Sequence, residues 1–198
     1  PQAWHRVEAL TDDVEWFLEF YCEPKDYFPK KYNSNPVHSE VLEAMESLSP
    51  GKALDLGCGQ GRNALFLAQQ GFEVTAVDQN ELALEILQSI VEQEDLEMTV
   101  GLYDINSAAL TQTYDLIVST VVLMFLQADR IPAIIQNMQD QTNPGGYNLI
   151  VCAMDTEDYP CQVPFSFTFK EGELADYYKD WELIKYNENP GHLHRRDE

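Results

Sequence analysis

From residue 52 to residue 151 the chain switches between two hydrophobic rhythms. Short apolar runs (KALDL, FEVTAVD, EMTVGLYD, YDLIVST, YNLIVCAM) read as strands. Between them lie stretches with apolar residues at three- and four-residue spacing: GRNALFLAQQG, ELALEILQSIVEQE and IPAIIQNMQDQT. These read as helices, the first ended by Gly71 and the last started by Pro132 in its opening turn. Asn143-Pro144-Gly145-Gly146 reads as the turn into the fifth strand, GELADYYKD as a short helix and WELIKYNE as a closing strand.

Upstream, HSEVLEAMESLSPG places Val41, Leu42, Met45 and Leu48 at helical spacing, with Ser39 as the cap and Pro50-Gly51 as the stop. Residues 24–36 read as a loop, given Pro29 and Asn-Ser-Asn-Pro. Within residues 1–23, AWHRVEAL and VEWFLEFYC read as a hairpin turning at Thr11-Asp12-Asp13, with a helix from Asp12 as the competing reading.

Strands alternating with helices imply an α/β fold: a mostly parallel sheet with helices on both faces. The uninterrupted apolar strands LIVST and NLIVCAM fit burial on both faces. Ligands of such sheets bind beyond the carboxyl ends of the strands, at the switch point in strand order. The loops after Leu56, Val77, Tyr103, Ser119 and Ala153 therefore converge on one site.

The loop after the first strand, ALDLGCGQGRN, carries glycines at 57, 59 and 61. The dinucleotide fingerprint GxGxxG would need a third glycine at 62, where the chain has Arg62, so a dehydrogenase is a weak reading. Asp55 stands two residues before the first glycine. A carboxylate there repels a diphosphate and suits a cation. S-adenosylmethionine, with its sulfonium, ammonium and single carboxylate, meets that requirement. Asp78 ends the second strand, where a carboxylate accepts from ribose hydroxyls. Asp104 ends the third, where one accepts from the adenine amino group. The apolar run from Thr120 to Leu126 is either core or a dry wall beside the reacting methyl.

Composition narrows the choice. A chain of 198 residues with 44% hydrophobic residues supports a full core. Its net charge of −22 argues against nucleic acid and acidic membranes as partners, and an anionic substrate would need a local basic pocket. No segment approaches the roughly 20 apolar residues of a membrane span. No export signal is visible at the start. Cys22, Cys58, Cys152 and Cys161 form no CxxC pair and no zinc-ligand spacing appears. They read as reduced thiols of a cytoplasmic protein without a metal.

LDLGCGQGRN, STVVLMFL, NPGGYNLIVCAMDTEDYPC, FKEGEL and KYNENPGHLHR resemble the TehB family of tellurite-resistance methyltransferases, from about Tyr27 onward. The resemblance implies a Rossmann-like class I methyltransferase fold and S-adenosylmethionine-dependent methylation of tellurite, with selenite as a further acceptor. It places the cofactor on Asp55, Gly57, Cys58, Gly59, Gly61, Asn63, Asp78, Gln79, Asp104, Ile105 and Thr120. It associates His194 and Arg195 with the substrate. Family members continue past this LHR segment into a further strand, so the final antiparallel strand reads as truncated here. Residues 1–23 resemble the end of an extra β-domain in longer fused members, which leaves 24–198 as the methyltransferase domain. Oligomeric state stays open between monomer and homodimer.

Methyl transfer from a sulfonium is an in-line displacement, and tellurium(IV) brings its own lone pair, so no general base is required. The need is an anion receptor, and Gly191–Arg196 is the densest basic cluster. Arg195 can pair with two oxyanion oxygens and His194 can donate. Arg62 reads as a surface ion pair and Cys161 as a substrate-side residue without a covalent role. Two other readings stand beside this one: a methyltransferase for another small acceptor such as a thiol, and a catalytically silent nucleotide-binding module.

Overall fold

The structure is a computed structural model that describes residues 22–189. The hairpin expected within residues 1–23, and His194 and Arg195, lie outside the described residues, except for Cys22 and Glu23.

Five strands form one sheet in the order β3-β2-β1-β4-β5: β1 Lys52–Leu56, β2 Glu73–Asp78, β3 Met98–Leu102, β4 Tyr114–Thr120 and β5 Thr142–Val151. Every neighbouring pair is parallel. The order reverses between β1 and β4, so the switch point lies between their carboxyl ends.

One face of the sheet is covered by α1 (Pro24–Tyr32), α2 (Ser39–Ala44), α3 (Arg62–Gln69) and α4 (Glu81–Gln93). Their buried Phe28, Val41, Leu65, Leu67, Leu87 and Val91 pack on Ala53, Val74, Ala76, Leu116 and Val118. α5 (Ile131–Asp140) covers the other face, with Ile131, Ile134, Ile135 and Met138 against Leu54, Leu56 and Ile117. Short α6 (Glu173–Tyr177) packs there through Leu174 and Tyr177. Alternate residues of β1 and β4 serve opposite cores, which is why those strands are apolar throughout. Each fully buried Leu or Ile contributes about 1.5–3 kcal/mol.

Four local expectations are corrected. Residues 24–32 are a helix, not a loop. Pro24 opens it without losing a hydrogen bond, Asp26 and Lys30-Lys31 complement its dipole, and Phe28 is buried. Pro29 removes one internal bond. The distant Glu94 offsets it, accepting from the Tyr27 and Tyr32 hydroxyls and pairing with Lys31 at 2.6 Å. The cap of α2 is His38, one residue before Ser39, whose Nδ1 accepts from the Glu40 N–H at 3.2 Å.

Residues 143–146 do not separate helix from strand but form an irregular start to β5. Pairing there jumps from Tyr114↔Thr142 to Leu116↔Tyr147. Asn143 is held by Asp115 at 2.8 Å, and Gly145 takes φ +79°. Finally, residues 181–188 form no strand. Leu183 and Ile184 are both exposed, so neither face of the segment is buried. Side-chain ties hold it instead: Trp181 edge-on to Tyr178 at 5.3 Å, and Lys185 to Glu40 and Glu43 at 2.7 Å each. The described sheet is therefore wholly parallel, and an antiparallel edge is not among the described residues.

Candidate functional site at the switch point

The glycine loop is a tight turn in which four amides, those of Gly57, Cys58, Gly59 and Gly61, are bonded within the protein. The N–H groups of Gly57 and Cys58 donate to the Val77 carbonyl at 2.8 and 3.0 Å, and that of Gly61 donates to the Cys58 carbonyl at 2.9 Å. Gly59 N–H donates to Asp78 Oδ2 at 2.8 Å. The three glycine amides of the motif thus point into the protein and not toward a ligand.

All three glycines have positive φ (83°, 54° and 83°), for different reasons. A Cβ on Gly57 would lie 2.5 Å from Val122, and one on Gly61 would lie 2.4 Å from Leu87. A Cβ on Gly59 would meet nothing within 4 Å. Two glycines therefore admit neighbouring protein, and Gly59 alone fronts open space.

The three acids occupy unlike environments. Asp55 lies beneath the loop, 1% exposed, and its Oδ2 accepts from Ala64 N–H in the first turn of α3 at 3.0 Å. Burial pushes its pKa up to about 7, against the opposing effects of that hydrogen bond and of Arg62. Asp78 is half-buried and splits its oxygens between Gly59 N–H and Asn80 N–H (2.9 Å), so its position is fixed from both sides. Asp104 is exposed. Its Oδ1 accepts from the Asn106 backbone at 2.9 Å and caps a short turn whose first residue, Ile105, is buried. Gln79 is exposed beside Asp78.

On the β4 side, Thr120 Oγ1 accepts from Asn63 Nδ2 at 2.9 Å and from Arg62 at 3.5 Å. Asn63, 2% exposed, also accepts from His38 N–H at 3.1 Å. The structure thus joins the predicted Asn63 and Thr120 to two residues outside the predicted set, Arg62 and His38. The expected ion pair of Arg62 does not form: no carboxylate lies within 4 Å of it among the described residues. No sequence signal marked His38, whose role comes from the entry to α2.

The run from 120 to 126 is mostly core. Leu123, Met124 and Leu126 are buried, while Phe125 is 60% exposed and meets Phe165 edge-on at 5.4 Å. Val121, β-branched, has φ +60°, a strained conformation directly after β4. Cys58 is buried, and that burial raises its thiol pKa and disfavours the thiolate. Cys161 sits in the loop after β5, where its N–H donates to Asp155 at 2.8 Å. An open groove of about 340 Å³ between Tyr32, Ser34 and α4 meets the loop only at Gln60, and neither the acids nor Thr120 line it. Among the described residues no His, Cys, Asp and Glu cluster could hold a metal ion.

The family described as "Tellurite resistance protein TehB" matches residues 20–198. The chain belongs to the TehB family. It is 58% identical over 198 residues to "Probable S-adenosyl-L-methionine-dependent methyltransferase TehB" of Haemophilus influenzae (strain 10810), covering 100% of this chain and 69% of that protein. The crystal structure of TehB from Haemophilus influenzae superposes with a TM-score of 0.91 at 57% identity, again over 100% of this chain and 69% of the other. "Hemagglutinin 1" of Eikenella corrodens is 55% identical over 197 residues, covering 100% of this chain and 66% of that protein. The parallel sheet flanked by helices is thus the TehB fold, a Rossmann-like class I methyltransferase fold.

Proposed function

We propose that this chain methylates a small chalcogen oxyanion, tellurite and by the same chemistry selenite, in the cytoplasm. The enzyme class is S-adenosylmethionine-dependent methyltransferase, with that molecule as cofactor, in keeping with the family and its fold. The observation that supports the cofactor reading is the glycine loop: the amides of its three glycines are bonded within the protein, and of the three only Gly59 opens outward. Such a turn passes a nucleoside without gripping phosphates.

In this reading Asp78 accepts from the ribose hydroxyls and Asp104 from the adenine amino group. Ile105 and exposed Gln79 flank the nucleoside. Gly57, Cys58, Gly59 and Gly61 shape the turn, while Asn63 and Thr120 bound the amino-acid end. Asp55 acts from below: a cation seated over the loop favours its charged form and gains from it. His194 and Arg195 supply contacts to the oxyanion.

When bound, S-adenosylmethionine would supply a methyl group activated by its sulfonium, which a tellurium lone pair could take with loss of S-adenosylhomocysteine and without a proton transfer, so this chain's residues need only hold and orient the two reactants. The apolar residues Leu123 and Met124 keep water from the reacting carbon.

Incubating the protein with tellurite and S-adenosylmethionine should give methylated tellurium and S-adenosylhomocysteine in step. Turnover with a thiol acceptor and none with millimolar tellurite would transfer the activity to another small acceptor.

A further inference from the structure

Cations are scarce in this chain, with 12 Lys and Arg against 34 Asp and Glu. Most that the structure describes are paired. Lys25, Lys30, Lys31, Lys52, Lys170 and Lys185 all contact carboxylates. Arg130 donates to the backbone carbonyls of Asn106 and Ser107 at 2.8 and 3.4 Å. Arg62 differs. It is half-buried, and its one hydrogen bond among the described residues is the 3.5 Å contact with Thr120. A guanidinium has five donors, and partial burial without acceptors is costly unless a ligand supplies them.

Its place gives that cost a purpose. Arg62 follows the glycine loop directly and reaches the last residue of β4, so it spans the switch point. Asn63 fixes the surroundings by bonding Thr120 on one side and the His38 backbone on the other. His38 Nδ1 is occupied by Glu40 N–H, which leaves the ring proton on Nε2. Burial, then the charge of Arg62, lowers the His38 pKa, so the ring stays neutral and a donor at neutral pH. Burial lowers the Arg62 pKa, opposed only by the charge of Asp55, whose own Oδ2 is committed to Ala64.

We propose that Arg62, steadied by Thr120 with His38 close by, is an anion receptor that takes a small carboxylate or oxyanion at the β4 flank. The inference rests on the methyltransferase reading, which supplies two anions of this chemistry: the α-carboxylate of the cofactor and the oxyanion of the acceptor. Both belong beside the sulfonium. The acidic side chains Asp78 and Asp104 take the nucleoside on the opposite flank of β1, so the amino-acid end points toward Arg62.

The test uses the whole protein, with Arg62→Gln and Arg62→Lys compared with wild type. Titration calorimetry measures S-adenosylmethionine and its decarboxylated analogue, and initial rates give KM and kcat for tellurite. Wild-type binding of S-adenosylmethionine secures the underlying reading; its absence would defeat that reading, whatever the variants do. Given that binding, Arg62→Gln should weaken one anion by about tenfold or more, and Arg62→Lys less, since a point charge replaces a fork. Loss of affinity for S-adenosylmethionine with the analogue unchanged identifies the cofactor carboxylate. A raised KM for tellurite with both cofactor affinities and kcat unchanged identifies the acceptor. Wild-type values on all three measurements overturn the proposal, and Arg62→Lys alone decides if Arg62→Gln does not fold.

Discussion

The two flanks of β1 carry opposite chemistry. Toward β2 and β3 stand acceptors, Asp78 and Asp104, each anchored by backbone N–H groups. Toward β4 stand donors, Arg62, Asn63 and His38, grouped around Thr120. A ligand lying across the switch point must therefore present hydroxyls and an amine at one end and an anion at the other. S-adenosylmethionine has that polarity, and in the proposed reading its cationic centre lies between the flanks. A dinucleotide would put its doubly charged diphosphate there, above the Asp55 carboxyl. On that reading, specificity for the cofactor resides in the contrast between flanks more than in any single residue.

Asp55 lies between them, and removing its charge should give the largest effect. Its folded pKa of about 7 stands above the ordinary carboxylate value of about 3.9. As pH rises the unfolded chain sheds this proton first. Stability from this group is complete below about pH 4, falls as pH rises to about 7, and stays low above that. Asp55→Asn keeps an acceptor for Ala64 N–H and removes the ionisation. In the free protein the variant should gain on wild type between pH 4 and pH 8 by as much as about 4 kcal/mol. Denaturant titrations across that range test this; a constant difference would mean that Asp55 is not desolvated as the structure has it.

Asp78→Ala strips the acceptor flank and frees Gly59 N–H. Affinity for S-adenosylmethionine should fall by about 1.5–3 kcal/mol, the scale of lost hydrogen bonds to a charged group. The β4 flank is untouched, so the tellurite KM measured at saturating cofactor should stay near wild type. An unchanged dissociation constant would remove the ribose from Asp78.

Hydrophobic rhythm made the five strands and three long helices legible in the sequence, because the two-sided burial of β1 and β4 and the one-sided burial of α4 and α5 leave distinct spacings, while α3, buried from Asn63 to Leu67, was marked by its bounding glycines. The segments missed are those whose conformation depends on distant partners. α1 contains an interior Pro29, and its tie to Glu94 spans 62 residues from Tyr32. Residues 181–188 have strand-like composition but no described strand beside them. The acids and glycines of the site were visible as a set, whereas their division of labour was not. Sequence cannot tell that Asp55 faces a helix and Asp78 a loop, or that Arg62 has no carboxylate within reach among the described residues.

The smallest effects separate the glycines, which the motif presents as equivalents. Gly61→Ala combines φ +83° with a Cβ 2.4 Å from Leu87, itself 0% exposed and locked in the core. It should cost about 2–3 kcal/mol of stability while the folded fraction binds cofactor nearly as well as wild type. Gly59→Ala puts a methyl into open space at φ +54°. Left-handed backbone alone costs about 1 kcal/mol, so stability should change less and cofactor affinity more. Chemical denaturation and calorimetry on the pair give the comparison directly. If Gly61→Ala proves the worse binder and Gly59→Ala the less stable protein, the ligand does not pass over Gly59, and the division of the site into flanks must be redrawn around Gly61.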